Sequence, residues 1–135
     1  MRVFFDANFL VAAGLNPAGD YNRVLEKAHD EFITSEHLLA EVLRNLERLG
    51  RDASPFIQHL RSVLAITNRF DILPAGLPLH GDGDRQALAE AIGAECELFV
   101  TSDTDFAAIV GQRVKGVLIE RSSTYARRVL SAPME

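Results

Sequence analysis

The chain has 135 residues, 47% of them hydrophobic and 24% charged, which is typical of a soluble globular protein with room for one domain. A single cysteine, Cys96, excludes an internal disulfide framework and argues against a cysteine-rich zinc site. The formal net charge of −5 argues mildly against a broad nucleic-acid-binding surface. Local basic residues near the end of the chain weaken that argument: Arg113, Lys115, Arg121, Arg127 and Arg128.

No stretch of the sequence predicts a membrane span or a leader. The longest apolar run, from Phe9 to Leu15, is far too short to cross a bilayer. Arg2 is followed at once by a predicted strand and an aspartate, which differs from a basic-then-apolar leader. We therefore expect a cytoplasmic protein without membrane contact.

Short apolar runs alternate with helical patterns along the first half of the chain. The first run, Val3-Phe4-Phe5, predicts a strand buried on both faces, as in a parallel sheet. The elements that follow are a short helix over residues 8–13, a helix from Asp20 to about His29 with Val24, Leu25 and Ala28 on its apolar side, a strand over residues 32–34, and a helix from Ser35 to about Leu49.

The helix predicted from Ser35 carries one acid that can point inward. Its aliphatic side chains form one broad stripe, made of Leu38, Leu39, Val42, Leu43, Leu46 and Leu49. Glu41 lies at the edge of this stripe beside Asn45. The alternative is a surface glutamate paired with Arg44 or Arg48, an arrangement that contributes little to stability.

The alternation continues through the second half. A helix opened by Ser54-Pro55 is predicted to bury Phe56, Ile57, Leu60, Val63, Leu64 and Ala65. A third strand over residues 70–73, a loop to Gly83 and a helix from Asp84 to about Ile92 follow. The last elements are a fourth strand over residues 98–100, a brief helix over residues 106–110, a fifth strand over residues 117–119 and a helix over residues 123–130. This order predicts one α/β domain over residues 1–135, with a mainly parallel sheet of about five strands and helices on both faces.

Acidic residues fall where strand ends and helix starts meet, on one rim of such a sheet. Asp6 ends the first strand, Asp103 and Asp105 follow the fourth, and Asp84 starts the helix between them. Each has an ordinary reading alone, since Asp84 and Asp103 are good helix N-caps and Asp6 is a common turn residue. Their joint placement, with Glu41 on the inner edge of its helix, predicts an acidic pocket.

Carboxylates gathered in one pocket raise one another's pKa values, so the pocket predicts a divalent cation. Oxygen ligands favour Mg²⁺ or Mn²⁺. A metal held in this way binds a phosphate oxygen and lowers the pKa of a water, which supports phosphodiester hydrolysis without a histidine or lysine base. Asn8, Thr101 and Ser102 are placed to orient water, metal or phosphate around the acids.

Four stretches of the sequence, in order, resemble the PIN-domain ribonucleases. They are VFFDANFL from Val3, SEHLLAEV from Ser35, DRQALAEA from Asp84 and LFVTSDTDF from Leu98. The resemblance implies a three-layer α/β/α fold and cleavage of single-stranded RNA that depends on Mg²⁺ or Mn²⁺. The sequence is most similar to stand-alone prokaryotic PIN proteins, many of them toxins of type II toxin–antitoxin pairs, which implies an antitoxin partner and a homodimer as further expectations.

The same resemblance implies site residues by motif position. The catalytic acids would be Asp6, Glu41, Asp84 and Asp103, and the metal ligands would be Asp6, Asp84, Asp103 and Asp105. Either Asp82 or Asp84 could be the ligand in that stretch. We prefer Asp84 because it precedes Ala87 and Leu88 by three and four residues and therefore shares their inward face.

Two other functions compete with the nuclease. One is a catalytically inactive PIN-like module that binds RNA or protein. The other is a phosphate-accepting signalling receiver, which also clusters aspartates around Mg²⁺. The receiver fits poorly, because Asp71 precedes Ile72 instead of ending its strand and Lys115 comes before the fifth strand.

Overall fold

A computed structural model describes residues 1–27 and 29–131. Its strands are β1 (Arg2–Phe5), β2 (Glu31–Ser35), β3 (Ala65–Thr67), β4 (Leu98–Thr101), β5 (Arg113–Val114) and β6 (Val117–Arg121). Its helices are α1 (Ala7–Leu15), α2 (Asp20–Lys27), α3 (Glu36–Arg48), α4 (Ser54–Val63), α5 (Asp82–Gly93) and α6 (Ser122–Ser131), with a 3₁₀ helix at Thr104–Ile109. Over these residues the strands form a sheet in the order β3-β2-β1-β4-β6-β5. Neighbouring strands are parallel except β5 and β6.

The central strand β1 is buried because its side chains pack into the core on both faces of the sheet. Phe5 packs against Phe9 of α1, Phe32 of β2 and Tyr125 of α6. The adjacent Phe4 points to the opposite face, as successive strand residues do, and stacks on Phe99 of β4. Both phenylalanines are fully buried. The prediction of a strand without a solvent face is therefore confirmed, and helices flank the mostly parallel sheet as in the predicted three-layer fold.

The strand order creates a crevice at one rim of the sheet. From β1 the chain passes to β2 on one side, whereas β4 pairs with β1 on the other side. Loops that leave the two strands in opposite directions open a gap at their carboxyl ends, where ligands collect in open α/β sheets. The pairing of β1 with β4 extends to the edge of this gap, since the Asp6 amide donates to the Val100 carbonyl at 2.9 Å.

The prediction of a third strand over residues 70–73 is wrong. The third strand is β3, which pairs in parallel with the end of β2 as a short, largely exposed edge. Phe70 and Ile72 are 75% and 79% exposed, and the Asp71 amide donates to the Ala89 carbonyl of α5 at 3.0 Å. Residues 70–73 therefore lie along helix α5 and not within the sheet. A three-residue edge strand needs no apolar run, so its sequence gave no signal.

Smaller corrections concern helix ends and burial. The helix predicted from Asp84 begins at Asp82. The strand predicted over residues 117–119 lies within β6, and the two-residue strand β5 is additional. Val63 and Ala65, expected to be buried, are exposed. Ala28, expected on the apolar side of α2, lies outside the described residues. Over the described ranges, no helix has the length and apolar character that a membrane crossing requires.

Candidate metal centre

Three carboxylates from distant parts of the chain meet at the crevice. Asp6, Asp84 and Asp103 each offer an oxygen, and these oxygens all lie within 4.8 Å of one another. Asp6 follows β1, Asp103 follows β4, and Asp84 lies in the first turn of α5, whose N-terminus reaches the same rim. The fold thus brings together three of the four acids expected at the site.

Asp6 is the buried member of the cluster, with 5% of its surface exposed. One carboxylate oxygen accepts from the Ala7 amide at 2.9 Å, which caps α1, and the other accepts from the Thr101 hydroxyl at 2.7 Å. Burial raises the pKa of Asp6 to about 6, against the lowering effect of these two hydrogen bonds. The negative charges of Asp103 and Glu41 raise it further.

Thr101 joins the two strand ends. Its hydroxyl donates to Asp6 and accepts from the Asp103 amide at 3.0 Å. Asp103 in turn caps the 3₁₀ helix by accepting from the Asp105 amide at 2.9 Å. Asp103 is therefore a helix cap, as predicted, and also a member of the acidic cluster, since its carboxylate has two oxygens.

Asp84 is only partly buried but is surrounded by acids. Burial, a hydrogen bond with the Asp105 side chain and the charges of Asp103 and Asp6 raise its pKa to about 7. A cation beside these carboxyl groups would offset the repulsion between their charges. Gly81 leaves room for this side chain, since a Cβ there would lie 2.8 Å from Asp84 Oδ2.

Glu41 lies beside the cluster and not within it. Its charge raises the pKa of Asp6, so it lies near Asp6. Among the described residues no ion pair joins it to Arg44 or Arg48, and Arg48 instead donates to Asn45 Oδ1 at 2.8 Å. The alternative of a surface glutamate with a salt bridge is therefore not what the fold contains.

The remaining predicted residues also lie near the strand ends. Asn8 accepts from the Ser102 amide at 3.4 Å, a long contact that connects the start of α1 to the loop after β4. Asp105 contacts Asp84 without joining the three-oxygen cluster. Asp82 is exposed at the start of α5, and the fold brings Asp84 into the cluster in its place.

The donor set suits a hard divalent cation. It consists of carboxylate oxygens from three chain segments, and no sulfur or imidazole takes part. Two of the three acids, Asp6 and Asp84, have pKa values raised toward neutrality, chiefly by burial and further by the charges of the neighbouring carboxylates. A bound Mg²⁺ or Mn²⁺ would compensate these charges.

Sequence patterns missed one acid near this site. Glu90 of α5 is 8% exposed and accepts from the Ser35 hydroxyl at 2.9 Å. It lies at the border of the apolar face of α5, where a helical pattern does not reveal whether a polar side chain is buried. Only the tertiary contact with Ser35 identifies it.

Comparisons with known proteins support the fold. The structure of VapBC2 from Rickettsia felis, bound to a DNA fragment from their promoter, matches with a TM-score of 0.60 and 18% identity, over 90% of this chain and 98% of that one. The structure of VapC20 from Mycobacterium tuberculosis, a sarcin-ricin loop cleaving toxin, matches with a TM-score of 0.57 and 21% identity, over 78% of this chain and 93% of that one. No family model and no curated protein matches the sequence. The predicted PIN-like α/β/α fold, shared with VapC toxins, is confirmed.

Proposed function

We propose that the protein is a divalent-metal-dependent endoribonuclease that hydrolyses single-stranded RNA in the cytoplasm. The observation that carries this proposal is the meeting of Asp6, Asp84 and Asp103 at the carboxyl ends of β1 and β4. Uncompensated buried carboxylates are costly, and a fold that concentrates them on a ligand-binding rim favours a site for a cation.

In this proposal Asp6, Asp84 and Asp103 hold Mg²⁺ or Mn²⁺, with Asp105 as a further ligand. The cation supplies Lewis acidity toward a phosphoryl oxygen and toward water. Thr101 keeps Asp6 in one orientation through its short hydrogen bond. Glu41, outside the cluster but near Asp6, acts as the general base, and Asn8 and Ser102 orient the phosphate.

The structural neighbours suggest the biological setting. One is a toxin that cleaves the sarcin-ricin loop, and another belongs to a complex bound to promoter DNA. We accordingly propose that this chain is the toxin of a toxin–antitoxin pair, with an antitoxin protein as partner and a homodimer as its working form. The net charge of −5 fits a site in which a bound cation, and not a broad basic surface, attracts the phosphates of RNA.

Cleavage of a labelled single-stranded RNA tests the nuclease directly. We expect cleavage with Mg²⁺ or Mn²⁺, none with a chelator, and a loss of at least about a hundredfold for Asp6→Asn or Asp84→Asn. Asp82→Asn is the matched control, because Asp82 lies two residues before Asp84 and is exposed. Equal activity of Asp6→Asn and the wild type would refute the proposed site.

The inactive-module alternative makes opposite predictions for the same proteins. It predicts no affinity for Mn²⁺ and unchanged RNA binding when Asp84 or Asp103 is neutralised. A calorimetric titration of the wild type and Asp103→Asn with Mn²⁺ separates the two, since the nuclease requires binding that the substitution weakens.

A further inference from the structure

A buried polar link joins α5 to the start of α3. The Ser35 hydroxyl, 1% exposed, accepts from the Leu38 amide at 3.1 Å as the N-cap of α3, and it donates to Glu90 Oε1 at 2.9 Å. His37 Nδ1 lies 3.8 Å from the same oxygen and has no other hydrogen-bond partner among the described residues. The three residues form what we call the Ser35–Glu90 link.

The position of the link relates it to the acidic site. Glu90 comes six residues after Asp84 on α5, and Ser35 comes six residues before Glu41 on α3. Each spacing corresponds to about 9 Å along a helix. The link therefore ties the helix that carries Asp84 to the junction from which the helix that carries Glu41 begins.

Stability alone does not explain a carboxylate at position 90. Burial raises the pKa of Glu90, whereas the Ser35 hydrogen bond and the nearby His37 lower it. Its neighbours on α5, Ala87 and Ala91, are small and apolar, and an apolar side chain at position 90 would avoid the desolvation of a charge. Buried polar pairs are retained in some proteins because they specify one arrangement of packed elements.

We propose that Glu90 and Ser35 are positioning residues that set where Asp84 lies relative to Asp6, which follows the strand beside β2, and thereby set the metal affinity of the site. This proposal rests on the proposed metal-dependent function. Glu90 does not touch the metal or the RNA. It acts through the placement of α5, as hydrogen-bonded residues behind metal ligands commonly do.

Variants at position 90 separate positioning from general stability. Glu90→Met removes the link and keeps the volume, so we expect Mn²⁺ affinity to fall about tenfold or more in a calorimetric titration of the whole protein. Urea unfolding of the metal-free protein measures the change in stability separately, since the substitution removes a buried carboxylate but leaves the Ser35 hydroxyl without its acceptor. Glu90→Gln keeps an acceptor for Ser35, and its affinity should stay within about threefold of the wild type.

Thr34→Val is the matched control. Thr34 is the buried neighbour of Ser35 on β2, and its hydroxyl has no hydrogen-bond partner among the described residues. We expect its Mn²⁺ affinity to match that of the wild type. Saturating Mn²⁺ should leave Glu90→Met with a lower kcat on RNA and an unchanged KM, since the change acts on the acids and not on RNA contacts.

A crystal structure of metal-free Glu90→Met decides the proposal independently of metal and RNA. We expect the distance between the Asp6 and Asp84 carboxylates to differ from that in the wild type. An unchanged distance, or a Mn²⁺ affinity equal to that of the wild type, would overturn the positioning role even if the protein cleaves RNA. A wild type that cleaves no RNA would instead refute the nuclease, while the shifted carboxylates would still support the link.

Discussion

The raised pKa of Asp6 makes the stability of the metal-free protein depend on pH. The pKa rises from 3.8 to about 6 on folding, and a shift of about two units corresponds to about 3 kcal/mol. The folded state holds this proton more tightly than the unfolded state. The contribution of Asp6 to stability is therefore greatest below about pH 4 and is lost as the pH rises through about 6.

The size of the effect follows from the two pKa values. Between about pH 7.5 and about pH 5, protonation of Asp6 recovers about 1.4 kcal/mol of the 3 kcal/mol. For a chain of this length the unfolding entropy is about 0.28 kcal/mol/K, so the corresponding shift in Tm is about 5 °C. Asp84 changes in the same direction, but its solvent exposure prevents a similar conversion into free energy.

Urea unfolding in the presence of a chelator, at about pH 5 and about pH 7.5, measures this directly. Asp6→Asn removes the titrating group, so the stability of the variant relative to the wild type should be higher by about 1.4 kcal/mol at the upper pH than at the lower. The hydrogen bond from Thr101 favours the charged form of Asp6, and its pH dependence is already contained in the pKa of about 6. Asp82→Asn should keep the wild-type pH dependence. If the stability difference between Asp6→Asn and the wild type is the same at both pH values, the pKa of Asp6 is not raised on folding.

Three further predictions concern the core, the crevice and the segment on α5. Phe5→Ala removes a fully buried ring from between two layers and should lower the free energy of unfolding by about 3–5 kcal/mol in urea. Thr101→Val leaves one Asp6 oxygen without its donor, so metal-free stability should fall by about 1–3 kcal/mol, more at neutral than at acidic pH. Gly93→Ala places a Cβ 2.5 Å from the backbone of Phe70 and should release residues 70–73 from α5, measured as faster amide exchange at that segment.

Controls for these variants come from open positions. Phe70→Ala changes an exposed ring and should alter stability by less than about 0.5 kcal/mol, and a larger loss would show that this side chain has a buried partner. Gly83→Ala adds a Cβ that has no atom within 4 Å and should leave the exchange of residues 70–73 unchanged. Unchanged exchange in Gly93→Ala would contradict the close packing of that segment.

Elements with strong local patterns were predictable from the sequence, and weakly patterned ones were not. β1 and β4 are short apolar runs buried on both faces, and Ser35 caps α3 as expected. β3 was not predicted, because an exposed edge strand of three residues has no buried apolar side chains that its sequence would reveal. Residues 70–73 were wrongly predicted as a strand, because this segment lies between helix α5 on one side and solvent on the other.

The sequence by itself determined which acids were available and that Asp6, Asp84 and Asp103 would stand at strand ends or helix starts, since parallel strands end on a common rim. Only the tertiary structure decided that their oxygens lie within 4.8 Å of one another while Glu41 stays beside them. It also decided that Glu90 is buried against Ser35. Distances between side chains depend on how helices cross the sheet, and that crossing results from packing of the whole core, which no local pattern encodes.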